Sequence, residues 1–214
     1  MKKAILFRSL LVSVLMFSCA LPSTDALFSP EDHPKGKLIE FITTAKKKIY
    51  AAVYMLTDND IVQALVVAKQ RGVDVQMVVD PTSVASPYAK VFTLLKSKIP
   101  VFVFDTKQHH AKNARMRTFA PLMHNKFAVI DGGMVWTGSF NWTVSANSRN
   151  QENVIITDDK NVCKKYEKQF DLLVQRSQAL AEGDVASKEN SFLPKETSFW
   201  SNPLLNVQKW LKGE

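Results

Sequence analysis

Apolar positions along the chain follow two periods, helical and strand-like, and the two alternate. Between residues 37 and 48, Leu38, Phe41, Ile42 and Ala45 recur at helical spacing. Residues 49–56, IYAAVYML, form a near-continuous apolar run that predicts a buried strand. Asp58 is placed to cap a helix through Gln70, with Ile61, Leu65 and Ala68 on one face and Gly72 as its stop. Residues 73–79, VDVQMVV, return as a strand, so a parallel pair joined by a short helical crossover is expected. A further helix is predicted over 86–98 and a strand over 99–104, with Pro100 near an edge or at that strand's first turn. Asp131-Gly132-Gly133 is a turn signal between two apolar runs and predicts a hairpin. Residues 153–157 add a strand, and Asp158 opens a helix to about 178 striped by Val162, Tyr166, Phe170 and Leu173. Alternation of this kind argues for one α/β layered domain over residues 37–178.

The ends read differently. Lys2, Lys3 and Arg8 precede an apolar run over 9–17, followed by Ser18, Cys19 and Ala20. A basic start, a short apolar centre and a small-residue cut predict an export signal over residues 1–20, and the run is short for a membrane span. Cys19 leaves lipoprotein processing as the alternative, although Met16-Phe17-Ser18 matches that motif poorly. The expected location is therefore periplasmic or secreted, or anchored through Cys19. Residues 21–36 read as a linker. Residues 179–214 form a tail whose Phe199, Trp200, Leu204, Leu205, Trp210 and Leu211 suit docking on the domain or a peripheral membrane contact.

An apolar content of 46% and a charged content of 22% suit a soluble globular chain. Removal of the signal takes the formal charge from +8 to +5, which favours polyanions or anionic lipid surfaces without choosing between them. Only Cys19 and Cys163 are present, so losing or lipidating Cys19 leaves Cys163 alone and excludes a disulfide scaffold.

Chemistry concentrates in residues 124–141, HNKFAVIDGGMVWTGSFN. In a regular strand His124 and Lys126 share a face and Asp131 points away. Gly138 permits a close backbone approach to a ligand, and Ser139 and Asn141 are small donors just beyond. An imidazole, an ammonium and two neutral donors meeting at one point suit an oxyanion of phosphorus. Two other H-x-K triplets lack this context. Glu40 stands where the Asp is due after His33-Pro34-Lys35, and Arg117 stands there after His110-Ala111-Lys112.

As a pattern, the segment is H-x-K-x4-D-x6-G-S-x-x-N, and it resembles the signature of the phospholipase D superfamily at every specified position. The resemblance covers roughly residues 37–178 and implies a mixed β-sheet with helices on both faces. It also implies a homodimer with a shared site: one His124 attacks phosphorus to give a phosphohistidine, and the second protonates the leaving oxygen. Lys126 and Asn141 would hold the non-bridging oxygens with help from Ser139. Glu152, 28 positions after His124, is the carboxylate expected to accept a hydrogen bond from the imidazole, the alternative being a solvated strand-end acid. Asp131 belongs to the motif set and is expected to hold the turn rather than act as acid or base.

Residues 105–123 carry Lys107, His109, His110, Lys112, Arg115 and Arg117, either a phosphate-attracting lip or a solvated loop. No metal site and no cofactor are expected, since no ligand cluster of usual spacing occurs. The leading expectation is a phospholipase D-type phosphodiesterase acting on phospholipid. The alternatives are a metal-independent endonuclease using the same site and, in another class, a catalytically silent binding protein.

Overall fold

The computed structural model describes residues 22–86, 88–106 and 121–181. The expected signal, the basic stretch 107–117 and the tail beyond residue 181 lie outside them. The chain builds one eight-stranded sheet. Its strands are β1 (Thr24–Ser29), β2 (Lys48–Val53), β3 (Asp74–Val79), β4 (Val101–Phe104), β5 (Lys126–Ile130), β6 (Met134–Gly138), β7 (Glu152–Thr157) and β8 (Ser177–Ala179). The spatial order is β1-β7-β6-β5-β2-β3-β4-β8. β2, β3 and β4 are mutually parallel and the remaining pairings are antiparallel, so the sheet is mixed.

The centre of the sheet is buried on both faces. Along β2, Ile49, Ala51 and Val53 enter one core and Ala52 the other; along β5, Ala128 and Ile130 oppose Phe127 and Val129 in the same way. The first core is closed by Leu38 and Ile42 of α1 (Pro34–Thr44) and by Ile61, Leu65 and Ala68 of α2 (Asn59–Gln70). The second is closed by Cys163, Phe170 and Leu173 of α6 (Lys160–Gln175). Period two in the strands and period 3.6 in the helices thus meet as two apolar interfaces.

Local signals set several boundaries. Asp58 caps α2, accepting from the N–H groups of Asp60 and Ile61 at 2.9 and 3.2 Å. Gly72, at φ 90°, follows the helix where a left-handed residue ends it. Of the expected 86–98 helix only α4 (Val91–Lys96) forms, and a separate short helix, α3 (Pro81–Ala85), precedes it. Asp80 caps α3 and Pro81 occupies its first turn. Residues 21–36 are not a linker: they supply edge strand β1, paired along its whole length with β7, and the start of α1. β8 covers the outer edge of β4 at the expected end of the domain, where the sequence predicts that the helix continues. A further short helix, α5 (Val144–Ser148), is capped by Thr143.

Candidate active site

The motif straddles one end of the sheet. The carboxyl ends of β2, β3 and β6 and the amino ends of β5 and β7 meet there. Lys126 begins β5, opposite Val53 of β2. His124 precedes the strand rather than lying in it. The β2 side still holds this lead-in, because the Tyr54 N–H donates to the Asn125 carbonyl at 2.9 Å. His124 and Lys126 share a side as expected, and both rest on one ring. The imidazole lies 4.6 Å from the Tyr54 ring centroid, and Lys126 Nζ lies 5.0 Å from it.

Burial differs between the two. The His124 side chain is open to solvent, whereas Lys126 is only 5% exposed. Lys126 Nζ donates to the His124 carbonyl at 2.7 Å, which ties the ammonium to the backbone of the nucleophile candidate and leaves further N–H donors for a ligand. Partial burial, then the Lys126 charge, holds His124 below the usual 6.5 against the opposing pull of Asp80. The imidazole is therefore neutral at pH 7, the form with a lone pair to give. Burial also lowers Lys126 below 10.5, opposed by Glu152 and Asp80.

Glu152 does not meet the imidazole within the protomer. Its Oε2 accepts from the Ser139 hydroxyl at 2.5 Å and its Oε1 from Asn150 Nδ2 at 3.0 Å. Its negative charge acts on Lys126 instead. The Ser139 oxygen also accepts from the Asn153 N–H at 3.1 Å, so this hydroxyl is engaged inside the fold. The close approach at Gly138 is likewise internal. A Cβ there would lie 2.1 Å from the Asn153 carbonyl oxygen, so glycine is needed for the β6–β7 crossing rather than for a ligand. Asn141 sits between the fully buried Phe140 and Trp142, and its Oδ1 is buried without a hydrogen-bond partner.

Asp131 is remote from this cluster. It lies in the β5–β6 turn at φ 53°, and its carboxylate accepts from the N–H groups of Lys46, Lys47 and Lys48 at 2.7–3.2 Å. It anchors the entry to β2 and takes no place among the reacting groups.

Residues 38–174 match the family model described as cardiolipin synthase, PLD-like domain, well over half of the chain. The chain belongs to the phospholipase D superfamily. It is 31% identical over 173 residues to the mitochondrial cardiolipin hydrolase of Xenopus laevis, covering 81% of this chain and 73% of that one. It is 34% identical over 139 residues to a phospholipase D of Rickettsia prowazekii, covering 65% and 62% respectively, so it spans less than two thirds of that relative. Among solved structures, the phospholipase D family member Nuc from Salmonella typhimurium superposes with a TM-score of 0.65 at 27% identity, over 76% of this chain and all of that one. NucT from Helicobacter pylori shares the fold with a TM-score of 0.69 at 23% identity, over 75% and 100%.

Two residues at this phospholipase D-like site lie outside the motif. Tyr54 follows β2, and Asp80, at 1% exposure, follows β3. A signal for them did exist: in α/β sheets, ligands gather beyond the carboxyl ends of parallel strands, where both residues stand.

Proposed function

We propose that the protein hydrolyses a phosphodiester of a phospholipid through a phosphohistidine formed on His124. The observation that carries this is the solvent-open His124, held below its usual pKa beside buried Lys126. The imidazole lone pair forms a P–N bond as the P–O bond to the leaving alcohol breaks, and that oxygen takes a proton from a second imidazole. Water then attacks phosphorus and gives its proton back to the second imidazole, and the P–N bond breaks to release the first. The Lys126 ammonium neutralises the non-bridging oxygens, and the Asn141 amide, not tied up by the fold, gives them orientation. The second imidazole comes from a second protomer across a two-fold axis.

The lipid reading draws on relatives named phospholipase D and cardiolipin hydrolase. A nucleic-acid reading of the same site is favoured by Lys107, Lys112, Arg115 and Arg117, which lead into His124. Residues 1–20 support export of the protein. The deciding experiment sets purified protein on anionic phospholipid vesicles beside DNA under one buffer. Release of headgroup or phosphatidic acid with intact DNA is expected, and DNA cleavage without lipid turnover would overturn the choice of substrate.

A further inference from the structure

Glu152 is spent on Ser139 and Asn150, so within one protomer the imidazole lacks the carboxylate expected for it. Asp80 is tied to the segment that carries the imidazole, through the Met123 N–H and not through the ring. It is a buried acid whose Oδ1 accepts from the Thr82 N–H and whose Oδ2 accepts from the Met123 N–H, both at 2.9 Å. The Met123 bond matters because His124 lies outside the β5 ladder. Its backbone is held by Asp80 on one side, through Met123, and by Tyr54 on the other, through Asn125. Ring contact with Tyr54 completes the support.

We propose that Asp80 is a positioning residue of the reaction: its buried carboxylate fixes the segment carrying His124 and supplies the negative charge that stabilises the imidazolium. Because β3 is parallel to β2 and ends beside it, the acid reaches the site from an element 44 residues upstream of the nucleophile. Among the described residues, the charged and titratable groups about the imidazole are then Lys126 of β5, Asp80 just after β3 and Tyr54 just after β2, with Glu152 of β7 acting on Lys126. Lys126 lowers the basicity of His124 and Asp80 raises it. The Asp80 carboxyl is pushed up by burial, while the Thr82 and Met123 donors and the His124 charge pull it back. Two oxygens that each accept an N–H suit the ionised form. Attack on phosphorus places positive charge on the imidazole, and an anion held nearby without reorganisation favours that step.

This assignment rests on His124 as nucleophile, and its test separates the two. Asp80→Asn removes the charge at nearly constant shape; should it fold poorly, Asp80→Ser keeps a cap for α3 and still removes the charge. In full-length protein followed by ¹⁵N NMR, the His124 imidazole is expected to titrate at lower pH than in wild type. With an aryl phosphodiester, kcat is expected to fall about tenfold or more while KM changes little. An unchanged imidazole titration, or an unchanged kcat, in a folded variant overturns the proposal. A wild-type protein that turns over no phosphodiester, but whose imidazole still shifts in Asp80→Asn, overturns the catalytic reading and upholds Asp80 as the anchor of His124.

Discussion

The Ser139 hydroxyl donates to Glu152 Oε2 across 2.5 Å, joining the end of β6 to the start of β7. The same oxygen accepts from the Asn153 N–H, so one side chain bolts two strands together at the site. Glu152 thereby holds its charge toward Lys126, opposing the effect of burial there.

This relationship sets the behaviour of Glu152→Gln. Without the anion, Lys126 falls further below 10.5 and sheds its proton at lower pH. If the protonated ammonium binds the phosphodiester, the alkaline limb of the pH–rate profile moves to lower pH. The rate at neutral pH should drop about 10–100-fold, as for other outer carboxylates. A wild-type profile in this variant would mean that Glu152 serves the β6–β7 joint alone.

The nucleophile itself admits a harder test. His124→Ala should lose at least about a thousandfold in kcat with an intact fold, since among the described residues no other side chain at the site stands ready to form the covalent intermediate. Lys126→Ala should lose comparably, with a lower melting temperature as well, because its ammonium also ties down the His124 carbonyl. EDTA should leave wild-type turnover unchanged, and vanadate or tungstate should inhibit it. Near-normal turnover in folded His124→Ala, or loss to EDTA with rescue by one divalent ion, would refute the proposed chemistry.

Asp131 predicts a stability effect without a catalytic one. Burial raises its carboxyl, but the N–H groups of Lys46, Lys47 and Lys48 and the Lys47 charge outweigh this and hold it below 3.8. A depressed folded value contributes stability above the unfolded value and loses it as pH falls through the folded one. Asp131→Asn should therefore cost about 1 kcal/mol near neutral pH, a discounted figure for a partly exposed site. The gap to wild type should close in acid, below pH 3.8. Chemical denaturation at pH 7 and in acid checks this, and an equal gap at both would assign the loss to packing or to the left-handed backbone at φ 53°.

The motif was legible because its chemistry is local. His124, Lys126, Ser139 and Asn141 lie within one hairpin and its exit, and α2 carried its own cap and stop in Asp58 and Gly72. What escaped depends on distant pairing. β1 has only Ala26, Leu27 and Phe28 as an apolar run, and its strand form comes from the partner edge of β7. β8, three residues long, exists through β4 in the same way. Ser139 meets Glu152 because Gly138 pairs with Val154 across β6 and β7, a register that no local spacing encodes. Asp80 and Tyr54 reach His124 only once β2 and β3 lie side by side.

The last prediction concerns the second imidazole. One chain supplies one complete motif, yet the proposed chemistry needs a neutral imidazole to attack and a protonated one to give up its proton. His124 lies below 6.5 in the isolated protomer, so both copies are largely neutral at pH 7 before substrate arrives. A phosphodiester anion between two imidazoles favours the charged form and returns one proton to the pair, which then titrates as a unit. A site on a two-fold axis therefore needs two wild-type protomers. If wild-type and His124→Ala chains are mixed equally and allowed to exchange, random pairing leaves ~1/4 of the dimers with both histidines. Activity per total protein should then follow the square of the wild-type fraction. Independent sites would instead give a straight line, with ~1/2 of the activity left at the same mixture. Native mass spectrometry establishes that exchange has occurred. A linear titration after exchange would place the proton donor within a single protomer and overturn the shared site.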